Sequence, residues 1–175
     1  KRVGFCGVDI FLFLSGIGLV FAIGKGSILS FYYRRLKRVY LPFFIIGLIR
    51  FITEKVDAGI FWKNVLCINF YQSNMYSFLW FVPAILTLYL LFPLYYKVYE
   101  KAADKTLFTG AMFVLWLAIA LFCRESLRAD LWGFFNRIPV FFFGIHAGYL
   151  SKTHKNPFSK TTWLSLGIIL IAGLY

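Results

Sequence analysis

Gly7-Val8-Asp9-Ile10-Phe11-Leu12-Phe13-Leu14-Ser15-Gly16-Ile17-Gly18-Leu19-Val20-Phe21-Ala22-Ile23-Gly24 carries a single charge, Asp9. Coiled at about 1.5 Å per residue, such a run reaches ~27 Å, close to the ~30 Å hydrocarbon core of a bilayer. A helix on the surface of a soluble protein needs a polar face, and this one has none. The composition extends the same reading to the whole chain. Of 175 residues, 61% are hydrophobic, 22% aromatic and only 15% charged, against roughly 25% charged and about 45–50% apolar in a soluble domain. The mean hydropathy is +0.75. A soluble globular domain would have to expose mostly carbon, and a disordered chain would need far more charge. The net charge of +12 therefore points to a membrane protein and not to a nucleic-acid binder.

Working outward, the apolar runs Tyr76 to Tyr96, Thr106 to Cys123 and Leu131 to Leu150 also read as spans, the last carrying Arg137 and His146. Val39 to Thr53 is shorter and holds Arg50; Thr161 to Tyr175 is 15 residues long, below the ~20 that cross hydrocarbon. None alternates as a barrel strand would, so the expectation is an all-α polytopic transmembrane bundle with six spans. The aromatic segment Phe61 to Tyr71, interrupted by Asn64 and Asn69, reads as interfacial or re-entrant. With no start methionine and an apolar run cut short at Tyr175, residues 1–175 are expected to be a single incomplete transmembrane domain, truncated at both ends.

Six spans make the loops alternate in side. Eleven Lys and Arg fall in one set of loops and six in the other, which places the richer set, including Arg34 to Arg38, in the cytoplasm and the protein in the plasma membrane. Cys6, Cys67 and Cys123 are odd in number and lie far from histidine; neither a disulfide framework nor a metal site is expected.

The basic segment is Phe31-Tyr32-Tyr33-Arg34-Arg35-Leu36-Lys37-Arg38-Val39-Tyr40-Leu41-Pro42. Arg35 and Arg38 are three apart and Arg34 and Arg38 four apart, spacings that bring guanidiniums to one helix face. Planar forks so arranged grip phosphate oxygens bidentately; the alternative is a juxtamembrane cluster touching lipid headgroups.

Four blocks occur in order: GVDIFLFLSG from Gly7, RRLKRVYLP from Arg34, Leu79-Trp80-Phe81-Val82-Pro83-Ala84 with Leu91-Phe92-Pro93, and Arg137-Ile138-Pro139-Val140-Phe141-Phe142-Phe143-Gly144. Together they resemble the integral-membrane acyltransferase-3 family, O-acyltransferases of cell-surface glycans. The resemblance implies a protein of about ten spans that takes acyl-CoA, usually acetyl-CoA, as co-substrate and has no bound cofactor. Its acceptor would be a hydroxyl of a surface polysaccharide or glycolipid sugar. It associates Arg35 and Arg38, with Arg34, with binding the donor. The family's catalytic histidine lies on a helix that would precede Lys1, so neither His146 nor His154 matches it and the fragment itself is expected to be inactive. One branch of the family carries His and paired Glu around its Trp block; this chain has Phe78, Ile85 and Leu86 there, and resembles the simpler branch.

The residues point to chemistry independently of any resemblance. A charge within the bilayer costs several kcal/mol unless paired or wet. Asp9, Arg50 and Arg137 all fall toward the non-cytoplasmic half, where they could share a polar cavity; alternatively the arginines snorkel and Asp9 pairs or caps. Ser15 lacks a neighbouring base and reads as a packing step. His146, beside Gly144, reads as packed or cavity-lining, and His154 as a solvated loop residue. A secondary transporter or flippase for a lipid-linked sugar or organic anion remains the alternative, since it would also show polar residues and Pro-interrupted spans.

Overall fold

Helices dominate because long runs of Leu, Ile, Phe and Ala are punctuated by only a few Gly, Asn and Pro positions. The computed structural model describes residues 3–72, 80–124 and 129–153. Among them there is no strand, and eight helices follow in order: α1 Val3–Ala22, α2 Ile28–Thr53, α3 Ala58–Val65, α4 Ile68–Gln72, α5 Phe81–Lys101, α6 Lys105–Cys123, α7 Ala129–Phe135 and α8 Ile138–Thr153. The all-α class expected from the sequence is the observed one. α5 and α6 are each long and apolar enough to cross a membrane.

Three boundaries differ from the sequence reading. The span expected at Val39 to Thr53 is part of a helix that begins at Ile28, so Arg34, Arg35 and Arg38 are helical and not loop residues. The chain turns at Gly24 and Gly26, whose φ values of 83° and 99° suit residues without a Cβ. Ser27 then caps the helix by accepting the Ser30 N–H at 3.2 Å. The expected span Leu131 to Leu150 is broken at Asn136–Arg137 into α7 and α8. Pro139 has no N–H to offer the Phe135 carbonyl, and that carbonyl instead accepts the Trp116 indole N–H at 2.9 Å. The span expected at Tyr76 to Tyr96 is found at Phe81–Lys101. The segment at Phe61 to Tyr71 forms two short helices, α3 and α4, with Cys67 between them at φ 61°. Thr161 to Tyr175 and His154 lie outside the described residues.

α5 is the centre of the core. Its Ile85, Leu88, Tyr89, Phe92, Tyr96 and Tyr99 are all buried in the main cluster, spaced three, four or seven apart along one face, as a 3.6-residue repeat requires. They meet Leu12, Leu19 and Val20 of α1, Phe31 of α2, and Phe141 and Ile145 of α8. The outer faces are as apolar as the inner: on α6, Leu107 is 72% and Phe122 88% exposed, and carbon on the outside suits lipid, not water. Between α5 and α6, Asp104 accepts the N–H groups of Thr106 and Leu107. Those backbone bonds hold its carboxyl below the usual carboxylate range.

The tightest joint is between α1 and α8. A Cβ built on Gly16 would lie 2.7 Å from the Phe141 carbonyl oxygen, one on Gly148 would lie 2.9 Å from the Ile17 Cα, and one on Gly144 would strike the Phe13 carbonyl oxygen. These neighbours are backbone atoms and cannot rotate aside. Glycines four apart thus let two helices touch main chain to main chain, the small-residue packing that stabilises helix pairs in lipid. Gly144→Leu should cost about 1–3 kcal/mol through overpacking. Thermal unfolding in detergent should show it as a lowered Tm, while Gly110→Leu, where nothing lies within 4 Å of an added Cβ, should leave the Tm nearly unchanged.

Candidate functional site

Two polar centres sit in the bundle. The first forms at the break between α7 and α8. Asn136 and Arg137 close the end of α7 with N–H bonds to Trp132 and Phe134, each 3.0 Å. The turn aims the Arg137 side chain back across the bundle. Its Nε lies 3.0 Å from Asp9 Oδ1 in α1, with both side chains only 15% exposed. Arg137 Nη1 also donates to the Gly133 carbonyl, and the guanidinium carbon lies 5.5 Å from the centroid of the Trp80 ring. An ion pair taken out of water is held together by such added bonds and by a cation–π face. Three sequence blocks far apart along the chain thus converge on one guanidinium.

The second centre is built on α2. Arg35 is half-buried and its Nη2 donates to the Gly18 carbonyl of α1 at 2.8 Å. Arg34 stays local, donating to Ser30 Oγ and, at 2.9 Å, to the Lys25 carbonyl. Arg38 lies one turn along the same helix and is exposed. Arg35 also forms part of the wall of a cavity of about 250 Å³ between α2, the α3–α4 segment and α5. Across it, the Tyr32 hydroxyl donates to the Leu90 carbonyl at 3.0 Å, next to Pro93, where the helical ladder of α5 is interrupted.

Arg50 stands apart from both centres. It pairs with Glu54 one turn later, Nη2 to Oε2 at 2.7 Å and Nε to Oε1 at 2.9 Å, on an exposed face. The structure therefore brings Asp9 and Arg137 together and leaves Arg50 outside. Ser15 is buried and accepts the Tyr89 hydroxyl at 3.3 Å. His146 Nδ1 lies 2.8 Å from the Tyr99 hydroxyl, with the ring half-buried between α5 and α8. Among the described residues no group of His, Cys, Asp and Glu is arranged to hold a metal. Tyr99 and Thr87 carry no mark in the sequence, and Trp80 and Tyr32 stand out there only as members of their blocks, because their roles depend on contacts between helices that no spacing rule reports.

A helical bundle with apolar outer faces and a charged pair closed inside it is the architecture of an integral-membrane domain. A family model described as an acyltransferase domain matches residues 2–175, and the chain belongs to this acyltransferase-3 family of membrane acyltransferases. No curated protein and no solved structure matches the chain significantly.

Removing one member of the Asp9–Arg137 pair leaves an uncompensated charge in a desolvated place. Arg137→Leu or Asp9→Leu should each destabilise the protein by roughly 3–5 kcal/mol. The double variant should recover a large part of that loss. A double-mutant cycle on thermal or denaturant unfolding reads the coupling, and strictly additive losses would show that the contact carries no energy.

Proposed function

We propose that this domain moves an acyl group, usually acetyl, from acyl-CoA to a hydroxyl of a cell-surface polysaccharide or glycolipid sugar. In this reading Arg35 and Arg38, assisted by Arg34, hold the phosphates of the donor on the cytoplasmic side of the plasma membrane. The observation that carries it is the placement of Arg35: a half-buried side chain that forms part of a cavity wall while its guanidinium donates to the Gly18 carbonyl of α1, in the basic first half of α2, with Arg38 exposed one turn on. Charge-assisted bonds from planar forks suit the polyanionic end of coenzyme A. The acyltransferase family supplies the reaction class.

The chemistry is a single substitution at a thioester. The acceptor hydroxyl oxygen attacks the thioester carbonyl carbon, a C–O bond forms, and the C–S bond breaks. The hydroxyl proton passes to a general base, and coenzyme A leaves as a thiolate that takes a proton up again. A neutral hydroxyl is a weak nucleophile, so that base is indispensable. The family resemblance assigns the role to a histidine on a helix before α1. Asp9 is committed to its ion pair with Arg137, so within this reading the pair orients α1 and α8 and does not itself exchange protons.

The test uses radiolabelled acetyl-CoA and the complete protein in membranes. Arg35→Lys with Arg38→Lys keeps both charges but removes bidentate geometry. The expected outcome is a rise in KM for the donor of about tenfold or more, equivalent to ~1.4 kcal/mol, with a smaller change in kcat. Unchanged incorporation would overturn the donor role. Movement of a sugar or anion across the membrane without acyl transfer would instead favour a transporter.

A further inference from the structure

The Tyr99–His146 pair takes no part in the chemistry above, and its surroundings offer the imidazole two partners. Tyr99 is fully buried, with Phe108 of α6 against one side and Tyr149 of α8 against another. Its hydroxyl lies 2.8 Å from His146 Nδ1, and the two rings meet nearly at right angles. A phenol is the better hydrogen-bond donor and an imidazole nitrogen the better acceptor. Tyr99 therefore donates, and the neutral ring carries its own proton on Nε2. The bond ties α8 to α5 at the end of the bundle where α5 turns into α6. That turn holds the second partner, Asp104, whose carboxylate attracts a charged His146. Both of its cap bonds, from the Thr106 and Leu107 N–H groups, fall on Oδ1, which leaves Oδ2 to meet an imidazolium. The other groups around the pair do not compete. Tyr95 and Tyr96 of α5 and Tyr149 of α8 are phenols, neutral near pH 7. Lys105 of α6 is committed to the Glu100 and Ala102 carbonyls, and Thr109 donates to the Lys105 carbonyl at 2.8 Å. α1 meets α8 through Gly144 and Gly148, on the helix face away from His146.

We propose that this end of the bundle is a proton-operated switch: neutral His146 is held by Tyr99, and protonated His146 passes to Asp104 and releases α8 from α5. The proton comes from the aqueous side that bathes the α5–α6 turn. It fills the Nδ1 lone pair, so two donors face each other and the bond from Tyr99 breaks. A buried hydroxyl without an acceptor is costly. The phenol must swing toward the oxygen of Thr109, which faces it from α6 and whose own proton is spent on Lys105. Asp104 stays ionised throughout, since its two backbone bonds hold its carboxyl below the usual carboxylate range. An imidazole ordinarily titrates at about pH 6.5. The latch is therefore closed above that region and opens as the pH falls through it. The switch stands apart from the identity of the donor and the acceptor.

Amide hydrogen exchange of the complete protein in detergent tests the switch, with every rate corrected for the intrinsic pH dependence of exchange. Between about pH 8 and about pH 5.5, which bracket the imidazole, residues 146–153 and 98–108 should lose protection. The loss should be roughly five- to tenfold, the worth of one buried hydrogen bond, while residues 43–52 of α2 stay unchanged. Tyr99→Phe should show the unprotected state at both ends of the range. His146→Gln keeps an acceptor for Tyr99 but takes no proton, so its protection should be high and independent of pH. Asp104→Asn keeps a capping side chain and withdraws the attraction, so the midpoint should move to lower pH. Wild-type protection that does not change between the two pH values would overturn the proposal. So would a His146→Gln protein that keeps the wild-type response, a Tyr99→Phe protein with wild-type protection at the higher pH, or a midpoint that Asp104→Asn leaves in place. Should His146→Gln fail to fold, the wild-type profile and the variant at Asp104, an exposed position, decide.

Discussion

The contact of α1 with α8, main chain against main chain, is the constraint on which the other features depend. Lipid offers helices no hydrophobic reason to associate, because a lipid tail is as apolar as a leucine. What remains is close packing, and Gly16, Gly144 and Gly148 provide it by letting the two backbones touch. Only at that separation can Asp9, two turns before Gly16, reach the Arg137 that precedes α8. The same closeness puts the Val20 carbonyl of α1 within range of Lys152 from α8. Widening the joint by the thickness of one methyl group would loosen each of these contacts together.

A second organising theme is the reuse of backbone groups released by proline. Pro139 frees the Phe135 carbonyl, which Trp116 of α6 then occupies, and so the break between α7 and α8 becomes the point where α6 is tied in. Within α5, Pro93 withholds an N–H from the Tyr89 carbonyl, and one residue on the Leu90 carbonyl accepts the Tyr32 hydroxyl of α2. In hydrocarbon an unanswered carbonyl is costly. A membrane helix that breaks must therefore recruit a neighbour's donor, and breaks become cross-links between helices.

Much of this was legible in the sequence, for reasons that can be named. The helical class follows from runs such as Thr106 to Cys123, where composition alone decides. Asp9 and Arg137 were conspicuous because charges are rare in apolar runs, and the blocks holding Arg35, Asp9, Trp80 and Arg137 were recognisable as family elements. Their partnership was not legible, since contact between residues at opposite ends of the chain has no signature in spacing. Arg50 looked equivalent to Arg137 by the same rule of rarity, yet Glu54, one turn on and one residue past the apolar run, neutralises it on an exposed face. The start of α2 has no hydropathy signature, because Arg34, Arg35, Lys37 and Arg38 depress hydropathy without weakening helix formation, arginine and lysine being good helix formers. The break at Asn136–Arg137 leaves the apolar run Leu131 to Leu150 uninterrupted in composition, because it depends on where one proline falls and not on how apolar the run is.

The bond from Arg35 to the Gly18 carbonyl engages one of the five N–H groups that a guanidinium carries. The side chain is thus oriented by a neighbouring helix while most of its donors stay unspent on that bond. An arriving anion can add to this arrangement without displacing it, so little rotational freedom is surrendered at the moment of capture. An ammonium group, with three donors and no plane to fix, would have to be both anchored and aimed anew.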